Sequence, residues 1–238
     1  MERTEIAKAF KIRSSGTSNI MGVKGLGKTG QSYIEQWVKE YLYKRRPEIK
    51  SKYLTKGNVQ EEEGFTLMAT ELNLGMVYKN TELFENDYMK GTPDLIVNGV
   101  VYDNKCSWSL DTFPMFEKEV PNKDYWWQLQ SYMELTGCDK SVLVYTLIDA
   151  DEFEIERQIK WESNPEKIYK VINEMVYTKD YFNNLVDRFC PTAISDYFIE
   201  IPEDKRIKTF EIEKDKKSIM EIEYRVDECR TFIHNLTT

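Results

Sequence analysis

The dipeptide Asn98-Gly99, set between Leu95-Ile96-Val97 and Val100-Val101-Tyr102, constrains this chain more than any other feature. Both central residues of a type I′ turn need positive φ, and Asn-Gly is the pair that supplies it, so the segment predicts a two-residue β-hairpin. A loop of that length fixes the register: Val97 faces Val100, Ile96 faces Val101, Leu95 faces Tyr102, and Asp94 faces Asp103. Two carboxylates then lie side by side with Cβ atoms about 5 Å apart, which is repulsive unless something neutralises them. Strand alternation puts Lys105 on the same face as Asp103. A hairpin that gathers two carboxylates and an ammonium is what a site for a hard divalent cation requires; the competing reading is a surface hairpin closed by a salt bridge.

Histidine chemistry is nearly absent from the chain. The single histidine, His234, lies close to the C-terminus, which excludes mechanisms built on an imidazole base or a cluster of imidazole ligands. Hydrolytic chemistry here has to be run by carboxylates, lysine and a metal ion. Four cysteines (Cys106, Cys138, Cys190, Cys229) show no CxxC spacing, so neither a zinc site nor a disulfide framework is signalled and a reducing, cytoplasmic location is expected. No apolar run reaches the roughly 20 residues of a membrane span, and Met-Glu-Arg-Thr-Glu lacks the apolar core of a signal peptide. At 238 residues, 41% apolar and 31% charged, the chain predicts a single domain over 1–238 with one substantial core.

A net charge of −8 argues on its own against a polyanionic partner, but the distribution reverses that. Residues 1–60 carry 13 Lys and Arg against 5 Glu, and the remainder carries 20 basic against 36 acidic residues. A basic N-terminal quarter on an acidic body suggests a localised surface for nucleic acid, or a set of lysines kept for solubility.

Periodicity places the elements around the hairpin. Tyr33, Ile34, Trp37, Val38, Tyr41 and Leu42 recur at helical spacing from Gln31 to Arg46, with Lys44-Arg45-Arg46 at the negative end of the dipole and Pro47 as the stop. Glu61, Phe65, Met68 and Leu72 form a stripe on a second helix over about 58–73. Glu62 and Glu63 are alternatives to Glu61, but the stripe favours Glu61 on the buried side. A strand is expected near Met76–Lys79, a helix over 122–136 ending at Gly137, and an interior strand over Val142–Ile148. A further strand near 153–160 and then mainly helices complete the reading, with a core over about 11–160 and a helical extension over about 161–238. Residues 1–29 are polar and glycine-rich, with a short helix expected around Ser18 to Met21.

The order of Pro93-Asp94, Asp103-Asn-Lys105 and Gln128-Leu-Gln-Ser-Tyr132 resembles the PD-(D/E)xK nuclease superfamily, in its RecB-like and phage lambda-type exonuclease branch. Gly57-Asn-Val-Gln-Glu61 resembles that branch's Gly-x-x-x-Glu. Arg13-Ser-Ser-Gly-Thr-Ser18 is similar to a shortened form of its arginine-and-serine segment, and Lys28-Thr29-Gly-Gln-Ser-Tyr33-Ile34 to a stretch ahead of a Tyr-Ile helix. The likeness runs over roughly residues 11–150. It implies a restriction-endonuclease-like α/β core, a central mixed β-sheet flanked by helices, and a Mg²⁺- or Mn²⁺-dependent DNA exonuclease acting 5′→3′ on duplex ends.

The resemblance also implies roles for individual residues. Asp94, Asp103, Glu61 and the Asn104 carbonyl would hold the metal, and Lys105 and Gln128 would complete the catalytic set. Arg13 and Ser18 would hold a 5′-phosphate, and Tyr132 would contact a strand; the basic cluster Lys44, Arg45 and Arg46 would bind the DNA backbone. A single-strand annealing protein as partner, a homo-oligomer (a trimer) and a bacterial cytoplasm complete the expectation. The second acid is Asp where phage enzymes mostly have Glu.

Three other readings are open to the sequence. One is a catalytically inactive DNA-end-binding or assembly module on the same fold. Another is a P-loop NTPase, because Gly22-Val-Lys-Gly-Leu-Gly-Lys28-Thr29 matches GxxxxGK[ST]. That motif needs a buried strand running into its first glycine, and the preceding residues are polar. The third is an iron–sulfur nuclease variant, whose cysteine spacing this chain does not show.

Overall fold

Asn98 and Gly99 both take left-handed backbone, with φ of 51° and 76°, and the hairpin they close forms one side of the larger sheet. The structure is a computed structural model that describes residues 3–45, 52–192 and 198–236, including all their side chains except those of 3 and 52–59. Strands β4 (Leu95–Val97) and β5 (Val100–Cys106) pair in the register the turn demands: Leu95 with Tyr102, Ile96 with Val101 and Val97 with Val100. β5 then pairs in parallel with β6 (Lys140–Thr146), which pairs antiparallel with β7 (Ile207–Glu213). The result is a four-stranded mixed sheet in the order β4-β5-β6-β7. A smaller sheet joins β1 (Ile12–Arg13), β3 (Met89–Gly91) and β2 (Phe84–Glu85) in that order.

Two helices sandwich the larger sheet, and strand alternation sorts the side chains between them. Helix α4 (Lys123–Thr136) covers one face, where Leu129, Tyr132 and Met133 meet Val101, Leu143 and Tyr145. Asn122 caps its start by accepting from the Asp124 N–H at 2.9 Å, and Gly137 (φ 72°) ends it in the left-handed region. Helix α3 (Lys52–Glu71) covers the other face, where Met68 packs with Leu95 and Val144. Gly64 lets α3 come this close. A Cβ there would lie 2.7 Å from each of Asn104 Nδ2, Cys106 Sγ and Thr146 Oγ1.

The chain ends pack together beside this sandwich. Helix α1 (Arg3–Lys8), helix α2 (Lys28–Tyr43) and the last helix, α8 (Lys216–Leu236), bury Ile6, Phe10, Ile34, Ile222, Val226 and Ile233 with Ile12, Ile20 and Met89. Helices α5 (Glu152–Ile159), α6 (Pro165–Met175) and α7 (Lys179–Phe189) form a separate cluster around Ile155, Ile172 and Phe182. Among the described residues no helix is long and apolar enough to cross a membrane.

Several expectations are corrected. Met76–Lys79 has no strand; the short strands there, β2 and β3, come later. The strand expected near 153–160 is helix α5, started by Asp151, whose carboxylate accepts the Glu154 N–H at 2.8 Å, with Ile155 and Ile159 buried one turn apart. The C-terminal part is not all helical, because β7 returns to the main sheet and completes its edge. The helix expected at Ser18–Met21 is the second half of a 3₁₀ turn, Ser14–Ile20. Helix α2 begins a turn early and stops at Tyr43, with Lys44 in the left-handed region (φ 52°), while Arg46 and Pro47 lie outside the described residues. That 3₁₀ turn, not a strand, leads into Gly22, so the P-loop reading loses the strand it requires.

The tight approach at Gly64 makes a direct prediction. Gly64→Ala should destabilise the protein by about 1–3 kcal/mol, through overpacking against the short side chains of Asn104, Cys106 and Thr146. The urea midpoint should fall at constant slope, and an unchanged midpoint would mean that α3 can back away from the sheet at no cost.

Candidate active site

The hairpin register places the two acids where they must interact. Asp94 immediately precedes β4, and its Oδ2 accepts the backbone N–H of Asn104 at 3.0 Å, which ties it to the strand that carries Asp103. Asp103 is 1% exposed, and its Oδ2 lies 2.6 Å from the Lys105 ammonium. Both project toward α4 because residues 103 and 105 share a face of β5. Burial and the Asp103 carboxylate push the Asp94 pKa up to about 6, with a smaller push from Glu61, against the opposing pull of Lys105 and the Asn104 N–H. Burial works against the Lys105 charge, but Asp103 and Asp94 more than offset it and hold the ammonium above its usual pKa. Lys105 is therefore a fixed cation and not a base.

Helix α4 supplies the other half of the site. Gln128 and Tyr132, one turn apart, are both buried against β5. The Gln128 Nε2 donates to Asp103 Oδ1 at 3.3 Å and to the Tyr132 hydroxyl oxygen at 3.0 Å. Burial and the Asp103 carboxylate push the Tyr132 pKa up to about 12, so its hydroxyl keeps its proton at neutral pH. Tyr125, one turn before Gln128, presents its ring 5.0 Å from the Lys105 ammonium.

Glu61 is less buried than its stripe suggested. Gln60 takes the inward place at 2% exposure and donates to the Asp149 carbonyl, while Glu61 sits at the margin of α3, ion-paired with Lys79. It is still close enough to Asp94 to raise its pKa. Glu62 and Glu63 are exposed. The Asn104 side chain points away from Asp103, toward α3, where it accepts from Thr146 Oγ1 at 3.1 Å.

The N-terminal segment reaches the same helix. Ser14, buried and next to Arg13, shares a 2.8 Å hydrogen bond with Ser131 on α4 and donates to the Lys90 carbonyl at 3.2 Å. Arg13 stands beside Lys90 in the parallel β1–β3 register, and among the described residues no carboxylate pairs with it. Ser18 lies half-buried in the 3₁₀ turn that packs along α4. Lys44 and Arg45 are elsewhere, exposed at the end of α2, with the Lys44 ammonium 4.3 Å from the Tyr41 ring.

Solved structures share this fold. A phage-related exonuclease from Haemophilus somnus 129PT is 25% identical to this chain and superposes with a TM-score of 0.73 over 96% of this chain and 95% of that one. The chain has the fold of this phage-related exonuclease, consistent with the resemblance of its motifs to the PD-(D/E)xK superfamily. An alkaline exonuclease from Laribacter hongkongensis shares the fold at 17% identity and a TM-score of 0.63, over 100% of this chain and 96% of that one. The same enzyme's complex with dAMP covers 97% and 93% at the same score. No protein-family model matches the sequence, and no curated protein shows significant similarity to it.

On the phage-exonuclease fold the structure brings Asp94, Asp103, Lys105, Gln128 and Tyr132 together, with Glu61 beside them and Arg13 one residue from a hydroxyl bonded to α4. Among the described residues no three Cys, His, Asp or Glu side chains converge as a ready-made metal cluster. Asp103 is turned to Lys105 and Glu61 to Lys79. The donor chemistry nevertheless fits a hard cation: every candidate ligand is an oxygen, and Asp94 is pushed up by burial first and then by the Asp103 carboxylate beside it. Sequence reasoning missed Ser14, Ser131, Tyr125 and Lys79. Tyr125 was within reach, lying three residues before Gln128 on the same helix face; the other three depend on contacts between distant segments.

The Asp94 shift has a sign that can be measured. Its folded pKa of about 6 lies above the ordinary 3.8, so its contribution to stability is fully present below about pH 4 and is lost as pH rises through 6. Asp94→Asn in metal-free protein should therefore raise stability near pH 7.5 by about 1–3 kcal/mol and change little near pH 4. Urea unfolding in chelator at the two pH values checks this, and a loss of stability near pH 7.5 would mean that Asp94 is favourably held.

Proposed function

We propose that this chain is a divalent-metal-dependent DNA exonuclease that hydrolyses phosphodiester bonds from duplex ends in the 5′→3′ direction. The observation that carries the reading is the buried Asp103–Lys105 ion pair, with Asp94 forced against it and Gln128 fixing its second oxygen. Asp94, Asp103, Glu61 and the Asn104 carbonyl would hold Mg²⁺ or Mn²⁺. Such an ion, when bound, lowers the pKa of water and neutralises charge on phosphate.

The chain's own groups supply the rest. Lys105, locked in its charged form, stabilises negative charge that develops on the scissile phosphate. Gln128 holds Asp103 in one orientation. Tyr132 accepts from Gln128, which leaves its own proton to donate to a strand oxygen. Arg13 and Ser18 grip the 5′-phosphate, the guanidinium bidentately. Lys44, Arg45 and Arg46 follow the backbone of the duplex by charge. A trimeric assembly, a single-strand annealing partner and a place in the bacterial cytoplasm belong to the same reading and rest on the resemblance.

A time course on end-labelled duplexes tests it. The protein should release nucleotides in Mg²⁺ and not in chelator, and Asp103→Asn should reduce cutting to background. Lys105→Ala should lower turnover by about 10²–10³-fold, because its role lies in the transition state. A 5′-phosphorylated duplex should be digested faster than a 5′-hydroxyl one, and Arg13→Ala should erase that preference while sparing slow cutting. Full activity in both Asp94→Asn and Asp103→Asn would sink the site assignment. Binding to duplex ends without Mg²⁺-dependent cutting would point to a DNA-end-binding module.

A further inference from the structure

Lys79 lies in the irregular run between α3 and β2 and is anchored to the candidate site from two sides. Its ammonium is ion-paired with Glu61. The next residue, Asn80, donates its backbone N–H to the Asp94 carbonyl at 2.7 Å and its side-chain Nδ2 to the Pro93 carbonyl at 3.0 Å. The segment is thus pinned to the residues that carry one site carboxylate, and from there Lys79 reaches another. A lysine kept only for solubility has no need of this tether.

The pairing divides the cations between the acids. Lys105 serves Asp103 and Lys79 serves Glu61, so three carboxylates face two ammonium groups. Addition of one divalent cation turns that local balance from one net negative charge to one net positive charge. A positive site is what a phosphodiester requires. A divalent cation on the Glu61 carboxylate repels the ammonium beside it and draws off the charge that holds it, so entry of the cation weakens the Glu61–Lys79 pair and favours release of the lysine. The Lys79 side chain is 48% exposed and has solvent to swing into.

We propose that Lys79 is a parked phosphate-binding residue: it holds Glu61 until a divalent cation takes that carboxylate, and the released ammonium then contacts the DNA backbone beside the scissile phosphate. Metal loading and substrate binding are thereby coupled through one side chain. The proposal rests on the metal-dependent reading of the site and adds to it a residue outside the motifs that carry the resemblance.

The test uses the full chain, with Mn²⁺ binding followed by calorimetry without DNA at fixed ionic strength. Lys79→Gln should tighten Mn²⁺ binding by about two- to fivefold, the range expected for release of a partly exposed ion pair. The same change in a Glu61→Gln background should have no effect, because the pair is already broken. With Ca²⁺ as the probe cation, Lys79→Gln should lower the salt slope of duplex binding by about one, and in chelator it should leave the slope unchanged. No tightening, tightening that persists without Glu61, or a slope indifferent to Ca²⁺ overturns the proposal. If wild type binds no Mn²⁺, the metal-dependent reading itself falls, a result distinct from binding that ignores Lys79.

Discussion

Asp94 and Asp103 are pressed together by a turn too short to let their strands slide, and their mutual repulsion organises what surrounds them. The compensation is unequal. Asp103 receives the Lys105 ammonium on one oxygen and the Gln128 amide on the other, whereas Asp94 receives a backbone N–H. Burial, and after it the Asp103 charge, therefore shows on Asp94, whose pKa is pushed up to about 6. Asymmetry of this kind distinguishes two like groups: Asp103 is held between two side-chain partners, and Asp94 is the less compensated of the pair.

The scaffold keeps the pair from relaxing. Strand β5 lies inside the larger sheet, with α3 on one face and α4 on the other, so the hairpin cannot twist away from either helix. The close approaches are set by glycines: Gly64 admits α3 to the sheet, and Gly91 brings β3 against Ser14 and the Tyr132 ring. Helix α4 also carries Trp127 and Leu135 into the core formed by the chain ends. One rigid helix therefore fixes Gln128 and Tyr132 at the acids and Ser131 at the segment that carries Arg13. This links the candidate site to the segment that carries Arg13 through one helix.

What the sequence revealed and what it concealed follow from the range of the interactions. The hairpin, its register and the start of α4 were legible because a two-residue turn and an asparagine cap act within a few residues. β7 was passed over because only Phe210 and Ile212 of its seven residues are buried, a weak alternation, and its pairing with β6 spans three intervening helices. Helix α5 was read as a strand although Asp151 capped it and Ile155 and Ile159 had helical spacing; the capping signal should have decided the matter. Glu61 was placed too deep because the stripe was centred one residue late, with Gln60 and Gly64 as the true inward positions. Lys79, Ser14 and Ser131 gave no local signal at all, since each acts across the fold.

The burial and charge crowding imposed on Asp94 can be measured by following its carboxyl carbon through a pH titration by NMR, first in chelator and then in Mg²⁺. The metal-free protein should show Asp94 titrating near 6. In Mg²⁺ that titration should move below the usual carboxylate range, because the cation stabilises the ionised form. An Asp94 that titrates near 3.8 without metal and takes no notice of Mg²⁺ would contradict the account.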